Sequence, residues 1–193
     1  MNLTDKAVGF AICGSFCTFD RVFDALDAML AAGADIIPIM SETAFSTDTR
    51  FGSAKDIQDQ IRSRAGRDII HTIKDAEPIG PKKMLDALVI APCTGNTLAK
   101  LANGIADSSV TLAAKAHLRN ERPIIIGIST NDALGAAAQN IGRLLSRKHI
   151  YFVPFTQDIE LGESIQFNLL SPLVQIGCKA YIVGCKFIKS YFV

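Results

Sequence analysis

The stretch LDALVIAPCTGNTLAKLANGIAD, residues 85–107, decides the fold. After Asp86 its first part is apolar without alternation, as in a strand buried on both faces of a helix-covered parallel sheet. Pro92 is expected to end that strand. Thr94, Asn96 and Thr97 then crowd the start of a helix expected over 97–101, where one cap suffices. The surplus of hydrogen-bonding groups favours a ligand. Asparagine both donates and accepts, as recognition of a carbonyl or carboxylate requires. Gly104 to Asp107 reads as a helix break, with a further helix expected over 108–118.

The same alternation extends both ways. Upstream, 6–12 (KAVGFAI) and 35–40 (DIIPIM) read as buried strands. Pro38 marks the second as an edge strand or an early exit. Between them, Val22, Phe23, Leu26, Met29 and Leu30 share one face of a helix expected over 18–32, with Thr18 to cap it and Gly33 to end it. A polar helix is expected over 53–64. Downstream come strands at 123–128 and 150–154 and a helix at 132–146. Strands alternating with helices give an α/β class: a doubly wound, Rossmann-like parallel sheet in three layers. The domain is expected over 1–160. Residues 161–193 form a tail that does not continue the pattern, either part of that domain or an arm.

The chain has 193 residues, enough to bury a core without disulfides or metal. Its hydrophobic fraction of 49% is compatible with surface buried in a homo-oligomer. A net charge of +1 gives no general attraction to nucleic acid or an acidic membrane. Five cysteines form no CxxC pair and read as reduced thiols of a cytoplasmic protein. No secretory signal is expected from the first residues, and Lys179, Lys186 and Lys189 make the apolar tail too charged to span a bilayer.

In open α/β sheets, ligands lie beyond the carboxyl ends of the strands. Four such loops are rich in small polar residues. Gly14, Ser15 and Thr18 follow the first strand and form either an anion site or a tight turn with a threonine cap. The pattern G-x-G-x-x-G is absent, which points to one phosphate rather than a pyrophosphate. Ser41 and Thr43 follow the second strand, where an ordinary polar loop is the competing reading. Pro92, Thr94, Asn96 and Thr97 follow the third. Ser129 and Asn131 follow the fourth, where Asn131 or Asp132 could simply cap a helix. His71, His117 and His149 lack metal-ligand spacing, so no metal site is expected. Cys93 reads as a small buried hydrophobe. Arg62, Arg64 and Arg67 read as a solvated helix face.

At residues 91–107 the chain resembles the motif AP-x-(S/T)-x-NT-x-AK-x-A-x-GI-x-D of the flavoprotein family, and GFAICGS (9–15) resembles that family's first strand and phosphate loop. The family includes cysteine-peptide and phosphopantothenoylcysteine decarboxylases and a flavin prenyltransferase. The resemblance implies a doubly wound fold that binds flavin mononucleotide (FMN), commonly in trimers or multiples of trimers. Segments 47–52 (TDTRFG), 76–82 (AEPIGPK), 113–135 and 150–158 resemble one branch, the B subunits of dipicolinate synthase. That branch implies formation of pyridine-2,6-dicarboxylate from a dihydro or hydroxy-tetrahydro precursor in the mother cell of a spore former. It also implies a dehydrogenase-like A subunit as partner.

Carried over, Gly14, Ser15 and Thr18 would hold the phosphate. Ser41 and Thr43 would lie by the flavin or its ribityl chain. Thr94, Asn96 and Thr97 would contact ribityl and substrate, with Pro92 in the same loop. Ser129 and Asn131 would close the site, and Asn96 and Asn131 are the catalytic candidates. Arg50, Lys82 and Lys100 are the candidate cations for a small dicarboxylate. Two departures stand against decarboxylation. The decarboxylases carry a histidine shortly before the LVIAP strand, where this chain has Glu77-Pro78-Ile79-Gly80-Pro81. Of their Pro-x-Met-Asn, only the asparagine remains in Ile128-Ser129-Thr130-Asn131. The alternatives are an FMN-dependent decarboxylase of a cysteine derivative, and a non-catalytic binding protein of the synthase whose site holds phosphate or nothing.

Overall fold

The computed structural model describes residues 2–133, 135–157 and 165–167. Five parallel strands form one sheet in the order β2-β1-β3-β4-β5: β1 Ala7–Ile12, β2 Asp35–Met40, β3 Ala87–Cys93, β4 Ile124–Ile128 and β5 Ile150–Phe152. A short antiparallel pair, β6 Phe155–Gln157 with β7 Ile165–Phe167, lies outside it. The expected tail 161–193 falls outside the described residues apart from β7.

The apolar runs are strands for the reason their composition implies: each feeds two cores. Val8, Phe10 and Ile12 of β1 and Val89 of β3 join one cluster, with Val22 and Leu26 of α1 (Phe19–Ala31) and Ile57 and Ile61 of α3 (Ala54–Ala65). Ala11 and Cys13, with Leu88, Ile90 and Cys93, join the other. There they meet α5 (Gly95–Asn103), α6 (Ser109–Leu118) and α7 (Ala136–Leu145). The result is the expected three-layer, doubly wound sheet.

Pro38 sits on the edge strand, as expected. Its carbonyl and the Met40 amide both face outward, where they pair with Ile70 at 2.9 Å each. The missing proline N–H therefore points away from β1 and costs the β1–β2 ladder nothing. Pro92 corrects the expectation. The strand does not stop there but runs on to Cys93, with a register shift between Ile90 and Cys93. The Pro92 carbonyl accepts from the Cys13 amide at 3.2 Å, and the Cys93 carbonyl from the Ser129 amide at 2.9 Å, which binds the ends of β1, β3 and β4 together. The two helices α2 (Glu42–Ser46) and α4 (Ile73–Ala76) are too short for periodicity to reveal.

Candidate functional site

The strand order reverses between β1 and β3, and the crevice at such a switch point is where open α/β sheets bind ligands. A cleft of about 300 Å³ opens there. Gly14 forms its wall above β1, Ser41, Glu42 and Thr43 its wall above β2, and Thr94, Asn96, Thr97 and Lys100 its wall above β3. Asp107 and Ser108, from the turn between α5 and α6, complete it. A Cβ on Gly14 would stand 3.3 Å from the Thr43 methyl, so the glycine keeps the first two loops apart.

Each wall has a local cause. Ser41 caps α2, its hydroxyl accepting from the Ala44 amide at 3.3 Å. Thr94 is the single cap of α5 and accepts from the Thr97 amide at 3.3 Å. The Thr94 hydroxyl also donates to Thr97 Oγ1 at 3.1 Å, and the Thr97 hydroxyl donates to Cys13 Sγ at 3.4 Å. Thr97 is thus turned into the protein, and of the three polar residues only Asn96 is left over. Its amide is exposed and has no partner among the described residues.

Beneath this chain of hydrogen bonds lie two buried thiols. Burial pushes the Cys13 thiol up to about 11 even though Thr97 and the Thr94 backbone hydrogen-bond to it. Burial, followed by the proximity of Cys13, raises Cys93 well above the ordinary thiol value. Both stay protonated at neutral pH and offer no nucleophile, in keeping with Cys93 as a small hydrophobe.

The loop after β1 is a short 3-10 turn, Phe16–Thr18, leading into α1. The amides of Gly14, Phe16 and Cys17 have no acceptor among the described residues. Three free amides on one turn suit an anion. Thr18 departs from expectation: it occupies the capping position of α1 without making a cap bond. Its hydroxyl is buried and donates to the Ser15 carbonyl at 2.8 Å, which fastens the loop. The Ser15 and Ser129 hydroxyls meet at 2.6 Å, joining the β1 and β4 loops across the end of β3.

The remaining candidates are placed less centrally. Pro92 is buried inside β3 and is not part of the cleft lining. Asn131 is exposed on the β4 loop, outside the cleft. The Asp132 carboxylate accepts from the Ala136 amide at 3.1 Å, so the helix start uses Asp132 rather than Asn131. Arg50 also stands outside, with its guanidinium 4.8 Å from the Phe51 ring. Lys82 lies in the turn preceding β3, at the opposite end of the sheet. Lys100 does line the cleft, but its ammonium donates to Asp107 at 2.9 Å. Arg62, Arg64 and Arg67 are paired with Asp68, Asp27 and Asp35, as befits a solvated face.

Sequence reasoning missed Glu42, Asp107 and Ser108. A signal existed for the last two. Gly104 takes φ +73 and ends α5, while Ser108 and Thr111 form a capping box that starts α6. The tight turn between these two marks returns Asp107 to Lys100. His117 is 1% exposed and its Nε2 hydrogen-bonds the Pro123 carbonyl at 3.1 Å, a structural role.

A profile of the flavoprotein family matches residues 1–175. The chain belongs to the flavoprotein family. Within it, this flavoprotein-family chain is 46% identical over 157 residues to the dipicolinate synthase B subunit of Bacillus subtilis, covering 81% of this chain and 78% of that one. The crystal structure of the dipicolinate synthase B subunit from Bacillus halodurans superposes with a TM-score of 0.78 at 41% identity, over 89% of this chain and 90% of that one. The FMN-dependent cysteine decarboxylase SpaF shares the fold at 22% identity and a TM-score of 0.64, over 89% of this chain and 95% of that one. The expected family, branch and fold class are borne out. Among the described residues, no helix is long and apolar enough to cross a membrane.

Proposed function

We propose that this chain binds FMN at the switch-point cleft and acts as the oxidoreductase component of a two-protein synthase. It would form pyridine-2,6-dicarboxylate from a dihydro or hydroxy-tetrahydro precursor, beside a dehydrogenase-like A subunit, during sporulation. The work would take place in the mother-cell cytoplasm, with the chain assembled as a trimer or a multiple of trimers. The observation that carries the reading is a set of donors without acceptors among the described residues: the Asn96 amide, which lines the cleft, and the amides of Gly14, also in its lining, and of Phe16 and Cys17 on the loop that follows Gly14.

The donor set fits FMN. The cation that lines the cleft, Lys100, is already neutralised by Asp107. A phosphate would therefore rest on the three free backbone amides and the Ser15–Ser129 hydroxyl pair, as phosphates do at loop-to-helix starts. Ser41, Thr43 and Thr94 present hydroxyls suited to a ribityl chain. Asn96 can donate to one polar edge of a flavin ring and accept from another. When bound, FMN supplies a two-electron acceptor for aromatising a reduced pyridine ring. The chain's own part would be to orient the ring, while the buried Cys13 and Cys93 thiols stay protonated and inert. The absence of a histidine in residues 77–81 remains the argument against decarboxylation.

The test is reconstitution. The purified chain and an A subunit are assayed separately and together for pyridine-2,6-dicarboxylate. Activity of the mixture well above that of the A subunit alone is expected. A mixture no more active than the A subunit alone would refute the synthase reading, and release of carbon dioxide from a peptidyl cysteine would replace it with decarboxylation.

A further inference from the structure

The Ser129 hydroxyl has one hydrogen-bond partner among the described residues, the Ser15 hydroxyl at 2.6 Å. Ser129 is 5% exposed, so water does not take its proton. A buried O–H left without an acceptor is costly, and the direction of the bond follows: Ser129 donates and Ser15 accepts. The proton of Ser15 is then the free one. Ser15 is half-buried, and the other group near its hydroxyl, Cys17 Sγ at 4.0 Å, is a weak acceptor. The backbone of Ser15 is held on both sides. Its amide donates to the Cys13 carbonyl at 2.8 Å, and its carbonyl accepts from the Thr18 hydroxyl at 2.8 Å. The free proton therefore shares a fixed loop with the amides of Gly14, Phe16 and Cys17, which have no acceptor among the described residues.

We infer, on the FMN reading above, that Ser129 is a positioning residue for the phosphate and acts on it through Ser15. Ser15 donates to the phosphate, and Ser129 does not touch it. Ser129 holds the Ser15 oxygen from inside the protein, so the Ser15 proton turns outward toward the free amides. A hydroxyl that accepts a hydrogen bond is also the better donor, because bonds in a chain polarise one another. The pair lies apart from the lining that Ser41, Thr94 and Asn96 give the cleft. It therefore acts on the phosphate end of the ligand and not on the ring. Its consequence is selectivity for a flavin that carries a phosphate over one that does not.

Two probes separate the phosphate from the rest of the ligand. FMN and riboflavin share the ring and the ribityl chain, and only FMN carries a phosphate. Each is titrated with the purified chain and followed by quenching of flavin fluorescence. The unmodified chain is expected to bind FMN at least about tenfold more tightly than riboflavin, the scale of one charge-assisted hydrogen bond. Ser129→Ala should weaken FMN about fivefold and leave riboflavin within about twofold. Ser15→Ala should weaken FMN further, and the double variant should be no weaker than Ser15→Ala alone, because Ser129 acts only through Ser15. Three results would overturn the inference and leave the FMN reading in place. One is equal affinity of the unmodified chain for the two flavins. Another is an unchanged ratio in Ser129→Ala, whether both flavins weaken or neither does, which would make the pair a structural tie. The last is additive losses in the double variant, which would mean that Ser129 touches the phosphate itself. Binding of neither flavin by the unmodified chain would overturn both.

Discussion

His117 offers a prediction whose size follows from the structure. Its ring is 1% exposed on α6, and in the neutral form Nε2–H donates to the Pro123 carbonyl at 3.1 Å. Burial lowers its pKa from 6.5 to about 4, and the nearby Arg122 guanidinium adds a smaller push in the same direction. The Pro123 hydrogen bond and the Asp86 carboxylate pull the other way without reversing it. A histidine with a depressed folded pKa binds its proton more readily when unfolded. Its contribution to stability is therefore complete above pH 6.5 and is lost as pH falls from 6.5 toward 4. A depression of this size is worth about 3 kcal/mol across that window. The assay is urea unfolding at several pH values from 7.5 to 4.5, comparing the unmodified chain with His117→Gln. The variant amide can keep the donation to Pro123 but cannot titrate, so its stability should fall less steeply between pH 6.5 and 4.5. Carboxylates contribute equally to both proteins and cancel in the difference. Parallel stability profiles would refute the assignment of His117 as a buried neutral ring.

Asn96→Ala and Thr94→Ala should separate binding from folding. The exposed Asn96 should cost under about 0.5 kcal/mol of stability yet weaken FMN retention, while loss of the Thr94 cap should cost about 1 kcal/mol in a denaturation curve. Brief alkylation at pH 8 followed by peptide mass spectrometry should label Cys17 and spare Cys13 and Cys93 until urea is added. Gly9→Ala should lower the urea midpoint by an amount worth about 1–3 kcal/mol, because its Cβ would stand 2.6 Å from Leu85 in a closed core; an unshifted midpoint would mean that this layer can expand.

The sheet was legible because burial on both faces forces runs such as 124–128 to be apolar throughout, and such runs read as parallel strands. A local signal also placed Gly33 after α1, while Ser53, expected as the first residue of the next helix, caps α3 instead. The continuation of β3 through Pro92 was not legible, since it depends on how the ends of β1 and β4 bond to that strand. In the site, the sequence located the loops but not the direction of their side chains. Thr94, Asn96 and Thr97 look equivalent on paper. Helix geometry then makes one a cap, exposes the second and turns the third toward Cys13. Lys100 looked like a free cation because its partner, Asp107, lies beyond a helix break.

Retention of FMN at the switch-point cleft is tested most directly by the visible absorption spectrum of the purified chain, before and after adding FMN. A flavin band that stays with the protein through gel filtration is the predicted result. A colourless protein that releases all added flavin would contradict it and assign the oxidation to the dehydrogenase-like partner.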